Sequence, residues 1–169
     1  MNEKKILKVL LEESIAECYE NDFTLIDRSM EQASVARVFF YMQYKLYFDK
    51  RFNQFSELYL DCEYNKNGDQ TKKTLRCKDG TRPDLILHKR DKYDITNNKL
   101  VVEFKAEDGK EEKHEATGLP KDQVKLEDFT NPDGYNYLLG SFVKLYKSGA
   151  VYTYFEKGYI SVDQGDHNE

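Results

Sequence analysis

The sequence predicts an α/β fold: a central mixed β-sheet of about five strands flanked by helices. Three observations lead there. Two amphipathic helical segments open the chain, short apolar runs with strand character fill its middle, and a third helix separates those runs from a hairpin. With 169 residues, 39% hydrophobic and 34% charged, the chain suits one domain with a real core under a highly charged surface. Residues 1–162 are read as that domain and 163–169 as a disordered polar tail.

The elements follow in order. Lys4–Tyr19 carries Ile6, Leu7, Val9, Leu10, Leu11 and Ile15 on a broad apolar face, and Asn21-Asp22 interrupts it. Ser29 with Gln32 reads as a capping box opening a second helix to about Phe48. Leu58–Tyr64 alternates like a strand. Asn65–Thr81 is polar and Lys-rich, with Gly68 and Gly80, and reads as a hairpin-like loop. Arg82–Lys89 and Lys99–Ala106 are the next strands, joined through a turn containing Asn97-Asn98. Glu107–Gly118 is charged and reads as a mobile loop, and Pro120 suits the start of a short helix with Val124, Leu126 and Phe129. After the Asn131–Gly134 turn, Tyr135–Tyr146 and Ala150–Glu156 form a hairpin. Gly140 inside it marks a bulge or a close backbone contact. The order is helix, helix, three strands, helix, two strands, and the central three are linked closely enough for a meander.

Composition narrows the function classes. No apolar run is long enough to span a membrane, and the opening MNEKKILKVLLEE lacks a signal peptide's apolar block. Cys18, Cys62 and Cys77 are odd in number with no CxxC spacing, which argues against a disulfide framework or a zinc site and for a reducing cytoplasm. The net charge of −5 counts against nonspecific nucleic-acid binding. The charge is uneven, however. Lys72, Lys73, Arg76, Lys78, Arg82, Lys89, Arg90 and Lys92 face only three acids over the same stretch. That stretch is either a phosphate-attracting surface or a solvated loop.

The chemistry concentrates in Pro83-Asp84 and Glu103-Phe104-Lys105. Side chains alternate along a strand, so Glu103 and Lys105 share a face while Leu100, Val102 and Phe104 take the other. Val101 precedes Glu103 on its own face, so the strand is apolar on both sides and reads as central. A carboxylate and an ammonium at the end of such a strand cost desolvation unless a metal, ligand or partner compensates. If the two strands are antiparallel neighbours, Asp84 sits beside Glu103 and Lys105. Hard carboxylate oxygens favour Mg²⁺ or Mn²⁺. The plainer alternative is a cross-strand ion pair on a solvated face. Glu31 lies on the stripe of Val35, Val38 and Met42, where it either joins the metal site or complements its helix dipole. Glu63 either reaches the site or lies on a polar strand face, and Lys125 either contacts phosphate or is solvated. His88 is too far along its strand to share a metal with Asp84.

This arrangement resembles the PD-(D/E)XK nuclease superfamily, the restriction-endonuclease-like fold, over about Asp27 to Tyr146. The family pattern is a helix bearing a glutamate, a strand, a Pro-Asp strand, a Glu-x-Lys strand, a helix and a further strand. Glu31, Pro83-Asp84 and Glu103-Phe104-Lys105 occupy those places. Small bacterial members are similar around Asp61–Asn65 and Asp122–Leu126, whereas the Gln-x-x-x-Tyr helix of exonuclease branches is unmatched, Gln123 being followed by Glu127. The resemblance implies a Mg²⁺- or Mn²⁺-dependent DNA endonuclease. Asp84 and Glu103 would bind the metal, Lys105 would assist the water, and Glu31 would be an accessory acid. Cutting both strands would call for a homodimer. The competing expectation is a catalytically inactive module of the same fold that binds nucleic acid or a protein partner.

Overall fold

The computed structural model describes residues 2–67, 70–78, 80–90, 96–115 and 117–161. The tail 163–169 and Lys92 lie outside the described residues. Helix α1 (Glu3–Asp27) outruns its expected end at Tyr19. The break at Asp22 is a kink (φ −129°, ψ 25°), after which the helix resumes. Arg37 Nε and Tyr41 Oη both donate to Asp22 Oδ2, at 2.8 and 2.6 Å, and clamp the kink to the next helix. Helix α2 (Glu31–Phe48) follows, and a 3₁₀ turn (Lys50–Phe55) buries Phe52 and Phe55.

The capping box does not form. The residue before α2 is Met30, with no side-chain cap bond. Ser29 has φ +53°; its N–H donates to Ile26 O, and Met30 N–H donates to Leu25 O. That pair of bonds is a Schellman ending, with Ser29 in the left-handed position that closes α1. Ser29 Oγ turns outward to Asp108 Oδ2 at 3.0 Å.

The strands are β1 (Tyr59–Cys62), β2 (Lys66–Asn67), β3 (Gln70–Thr71), β4 (Leu85–His88), β5 (Asn98–Ala106), β6 (Leu139–Tyr146), β7 (Gly149–Glu156) and β8 (Tyr159–Ile160); α3 (Lys121–Thr130) lies between β5 and β6. Among the described residues, β2 and β3 pair as a separate hairpin, and the other six form one mixed sheet in the order β1-β4-β5-β6-β7-β8. The expected meander is β1-β4-β5, antiparallel throughout. The pair β5/β6 is parallel, which requires a crossover, and α3 provides it. The ladder of β6 starts at Leu139, not Tyr135. Asn136 takes φ +54°, and Tyr137 N–H donates to Phe129 O, so this stretch belongs to the end of α3. Gly140 marks a close approach: a Cβ there would lie 3.0 Å from Thr130 Cγ2 and 3.2 Å from Phe155 Cβ.

Alternation splits the core in two. Leu85, Leu87, Leu100, Val102 and Phe104 face α1 and α2 in the larger cluster. Ile86, Val101 and Phe142 face α3 with Leu126 and Phe129. The protein is thus an α/β layered fold with β5 in the middle of its sheet. Glu103 and Lys105 alternate with Val102 and Phe104, so both lie on the α3 face.

Candidate active site

The register of β4 on β5 sets Leu85 opposite Val102, so Asp84, one step before the strand, stands across from Glu103. Phe104 N–H donates to Asp84 Oδ2 at 2.7 Å and fixes that carboxylate. Asp84 is pushed up to about 6 by its burial; the Phe104 hydrogen bond opposes this, and the charges of Glu31 and Asp122 add to it. Glu103 is 3% exposed, and its Oε1 has no hydrogen-bond partner among the described residues. Burial lifts its carboxyl well above the usual range, against the pull of Lys125 and with the push of Asp84 and Asp122.

Two further elements, α2 and α3, converge on this pair. Glu31, at the first turn of α2, reaches over the end of β5 and accepts from Ala106 N–H at 2.7 Å. Lys105 Nζ lies 3.6 Å from Glu31 Oε1 and 3.6 Å from Asp122 Oδ2. On the first turn of α3, Lys125 Nζ bonds Asp122 Oδ1 at 2.7 Å and stands 3.6 Å from Glu103 Oε1, an ion pair without a hydrogen bond. Burial works against the Lys125 charge, but Glu103 and Asp122 outweigh it and raise its pKa. The side chains alternate in sign: Glu103, Lys125, Asp122, Lys105, Glu31, with Asp84 beside Glu103. Four carboxylates meet two ammoniums, so two negative charges stay uncompensated when all are ionised.

A divalent ion fits that deficit in charge and in donor type. Among the described residues no three His, Cys, Asp or Glu side chains are grouped to hold a metal as they stand. Mg²⁺ needs no such cage, because it keeps several waters and binds through one or two carboxylates. Asp84 and Glu103, whose Oε1 has no hydrogen-bond partner among the described residues, are the two carboxylates that could hold it. Lys125 now compensates the site in part.

Glu63 lies on the approach. It is exposed, has φ +45°, and its N–H donates to Asp84 O at 3.2 Å. With Glu31, Asp84 and Cys62 it lines a cleft of about 330 Å³ that holds no basic residue.

The expected basic surface divides. Lys73, Lys78, Arg82 and Lys89 are exposed. Arg90 is exposed but forks onto Asp61, which also takes His88 Nε2 at 3.0 Å. Two expected phosphate contacts are corrected. Lys72 is 2% exposed, its Nζ 5.2–5.8 Å from the ring centres of Tyr64, Phe129, Tyr135 and Tyr137. Burial lowers it to about 8, with Asp61 opposing. Arg76 is spent on α3: Nε donates to Asp128 Oδ1 at 2.6 Å, and Nη1 pairs with Glu127 at 2.9 Å. Lys125 is in the acid cluster. Asp122 had no assigned role in the sequence; its signals are the resemblance over Asp122–Leu126 and its place as a helix-opening acid three residues before a lysine.

No family model matches the chain, no curated protein is similar to it, and no solved structure matches its fold.

Proposed function

We propose that this chain is a metal-dependent nuclease that hydrolyses phosphodiester bonds, acting on DNA as an endonuclease. The observation that carries the proposal is the buried carboxyl group of Glu103 opposite Asp84 at the end of the central strand, with Lys105 two residues on and four carboxyl groups set against two ammoniums. The chain order of the Glu31 helix, β1, the Asp84 strand, the Glu103 strand, α3 and β6 also agrees with the PD-(D/E)XK pattern. Among the described residues no helix is long and apolar enough to cross a membrane. A reducing cytoplasm suits its free cysteines.

Asp84 and Glu103 would hold Mg²⁺ or Mn²⁺, with Glu31 as an accessory acid. Bound there, the ion supplies Lewis-acid polarisation of the phosphoryl oxygen and a more acidic water. The chain does the rest. Phe104 N–H anchors the Asp84 carboxylate to the backbone of the Glu103 strand. Glu31 and Asp122 hold the Lys105 ammonium between them, where it orients the attacking water and stabilises charge building on the phosphoryl oxygens.

Incubation with plasmid, linear and single-stranded DNA plus Mg²⁺ or Mn²⁺ tests this, beside Lys105→Ala and Asp84→Ala. Wild type should cut and both variants should lose roughly 10²–10³-fold in rate. Equal cutting by all three proteins would rule the site out. Binding without cutting would favour the inactive module, for which Lys125 already standing beside Glu103 is the supporting observation.

A further inference from the structure

A second concave region adjoins the acids, and Lys125 belongs to both. It is a groove of about 470 Å³ between the 76–80 loop and the start of α3. Among the described residues Lys78, Lys121, Lys125 and Arg76 line it, with Glu115 as the acid and His114 on its wall. Arg76 acts as a clamp rather than a ligand: its backbone N–H and its Nε both bond the Asp128 carboxylate, and its Nη2 donates to Val124 O at 3.3 Å. These bonds hold Arg76 against α3 at one wall of the groove. The His114 Nε2 lies 3.3 Å from Arg76 O, and its Nδ1 has no partner among the described residues. Lys78 is exposed, and the Lys121 ammonium meets only Glu112 in an exposed pair, which holds it weakly.

We propose that this groove binds the phosphodiester backbone of a nucleic-acid strand next to the cleavage point, and that Lys125 exchanges Glu103 for a phosphate when the metal arrives. The inference rests on the nuclease reading and adds the side from which substrate approaches. The cleft through Glu31, Glu63 and Asp84 repels phosphate, whereas the groove through Lys78 and Lys121 attracts it, and Lys125, on the groove wall, ties it to the acid cluster through Glu103. A cation entering beside Glu103 repels the ammonium 3.6 Å from that carboxylate, and a phosphate in the groove that Lys125 lines would take the place of Glu103 while the bond to Asp122 stays.

The exchange makes two readouts move in opposite directions. Mn²⁺ uptake is measured by titration calorimetry, and binding of a labelled short single-stranded oligodeoxynucleotide is measured by anisotropy in Ca²⁺ at several salt concentrations. Lys125→Gln should bind Mn²⁺ several-fold more tightly and the oligonucleotide less tightly, with the salt slope falling by about 1. The pair Lys78→Ala and Lys121→Ala should weaken the oligonucleotide and lower its salt slope by about 2 while leaving Mn²⁺ uptake unchanged. Inorganic phosphate that displaces the oligonucleotide at equal phosphate concentration would overturn the assignment to a strand. A Lys125→Gln protein that loses both ligands, or neither, overturns the exchange. Oligonucleotide binding indifferent to Lys78 and Lys121 overturns the groove even if Mn²⁺ binds. Groove-dependent binding in a protein that takes up no Mn²⁺ supports the groove and sinks the metal-dependent reading.

Discussion

Glu103 and Lys72 are both buried charged residues on the α3 side of the sheet, and they are buried by opposite means. Lys72 stands among four aromatic rings, with Tyr137 Oη 3.4 Å from its Nζ. The ring faces are fixed, electron-rich and nontitrating at neutral pH, so they offset part of its desolvation and leave nothing for a ligand to complete. Glu103 stands among titratable groups: Asp84, Asp122 and Lys125. Its surroundings carry surplus negative charge and leave one of its oxygens unbonded. Burial of a charge is therefore a poor marker of function by itself. The surrounding groups decide: a complete set is architecture, and an incomplete set of charges is a place for a ligand.

Substitution at the two positions should separate them most widely. Glu103→Gln keeps the shape and removes the charge, so cleavage should fall by roughly 10³-fold, the equivalent of the several kcal/mol a metal supplies. Lys125 retains Asp122 in that variant, so thermal unfolding should occur no lower than in wild type. Lys72→Met should leave cleavage unchanged and raise stability by about 1 kcal/mol, because an apolar chain of similar volume fills an aromatic cage without desolvation. Loss of cleavage in Lys72→Met would erase the distinction.

Their pH dependences should have opposite signs. Asp84 titrates near 6 when folded, above its ordinary 3.8, so the folded state binds the extra proton and stability falls as pH rises from about 4 to 6. Lys72 titrates near 8 when folded, below its ordinary 10.5, so the unfolded state binds the extra proton and stability rises between those two values. Urea unfolding of wild type against Asp84→Asn and Lys72→Met isolates the two slopes. Each variant should flatten its own window and leave the other intact. A divalent ion competes with the Asp84 proton, so Mn²⁺ affinity should also climb from pH 5 to 7.

The convergence of Asp84, Glu103, Lys105 and Glu31 was legible because each sits at the end of a strongly apolar element, and such patterns fix both the element and the face. The fold order was legible for the same reason. Asp122 and Lys125 were not, because an acid and a base on a short amphipathic helix look the same whether they meet solvent or the end of a strand. The surroundings of Lys72 were hidden for a different reason: its partners come from positions 64, 129, 135 and 137, which only the tertiary fold assembles. Asn136 broke the expected start of β6 through a left-handed φ that apolar alternation does not register.

A subtler effect lies behind Lys105. A Cβ at Gly109 would come within 2.5 Å of Lys105 Cδ and 3.0 Å of Ala106 O. Gly109→Ala should therefore shift the ammonium while sparing Asp84 and Glu103. Cleavage should drop by about 10-fold, the scale expected when a positioned group moves by a fraction of an ångström. Mn²⁺ affinity should stay near wild type, which distinguishes a displaced lysine from a damaged metal site.

The smallest effect is the most diagnostic of how local sequence misleads. Ser29 followed by Gln32 satisfies a capping-box pattern, and a true N-cap serine would lose about 1 kcal/mol on replacement by alanine and a few tenths on replacement by glycine. In the structure Ser29 closes the preceding helix with φ +53° and gives its hydroxyl to Asp108. Glycine takes that backbone conformation without a Cβ penalty, so Ser29→Gly should stabilise the protein by about 0.5 kcal/mol. Ser29→Ala keeps the penalty and loses only an exposed hydrogen bond, so it should cost less than about 0.5 kcal/mol. The sign for glycine separates the two roles: one end of a helix rewards its removal of a side chain, and the other penalises it.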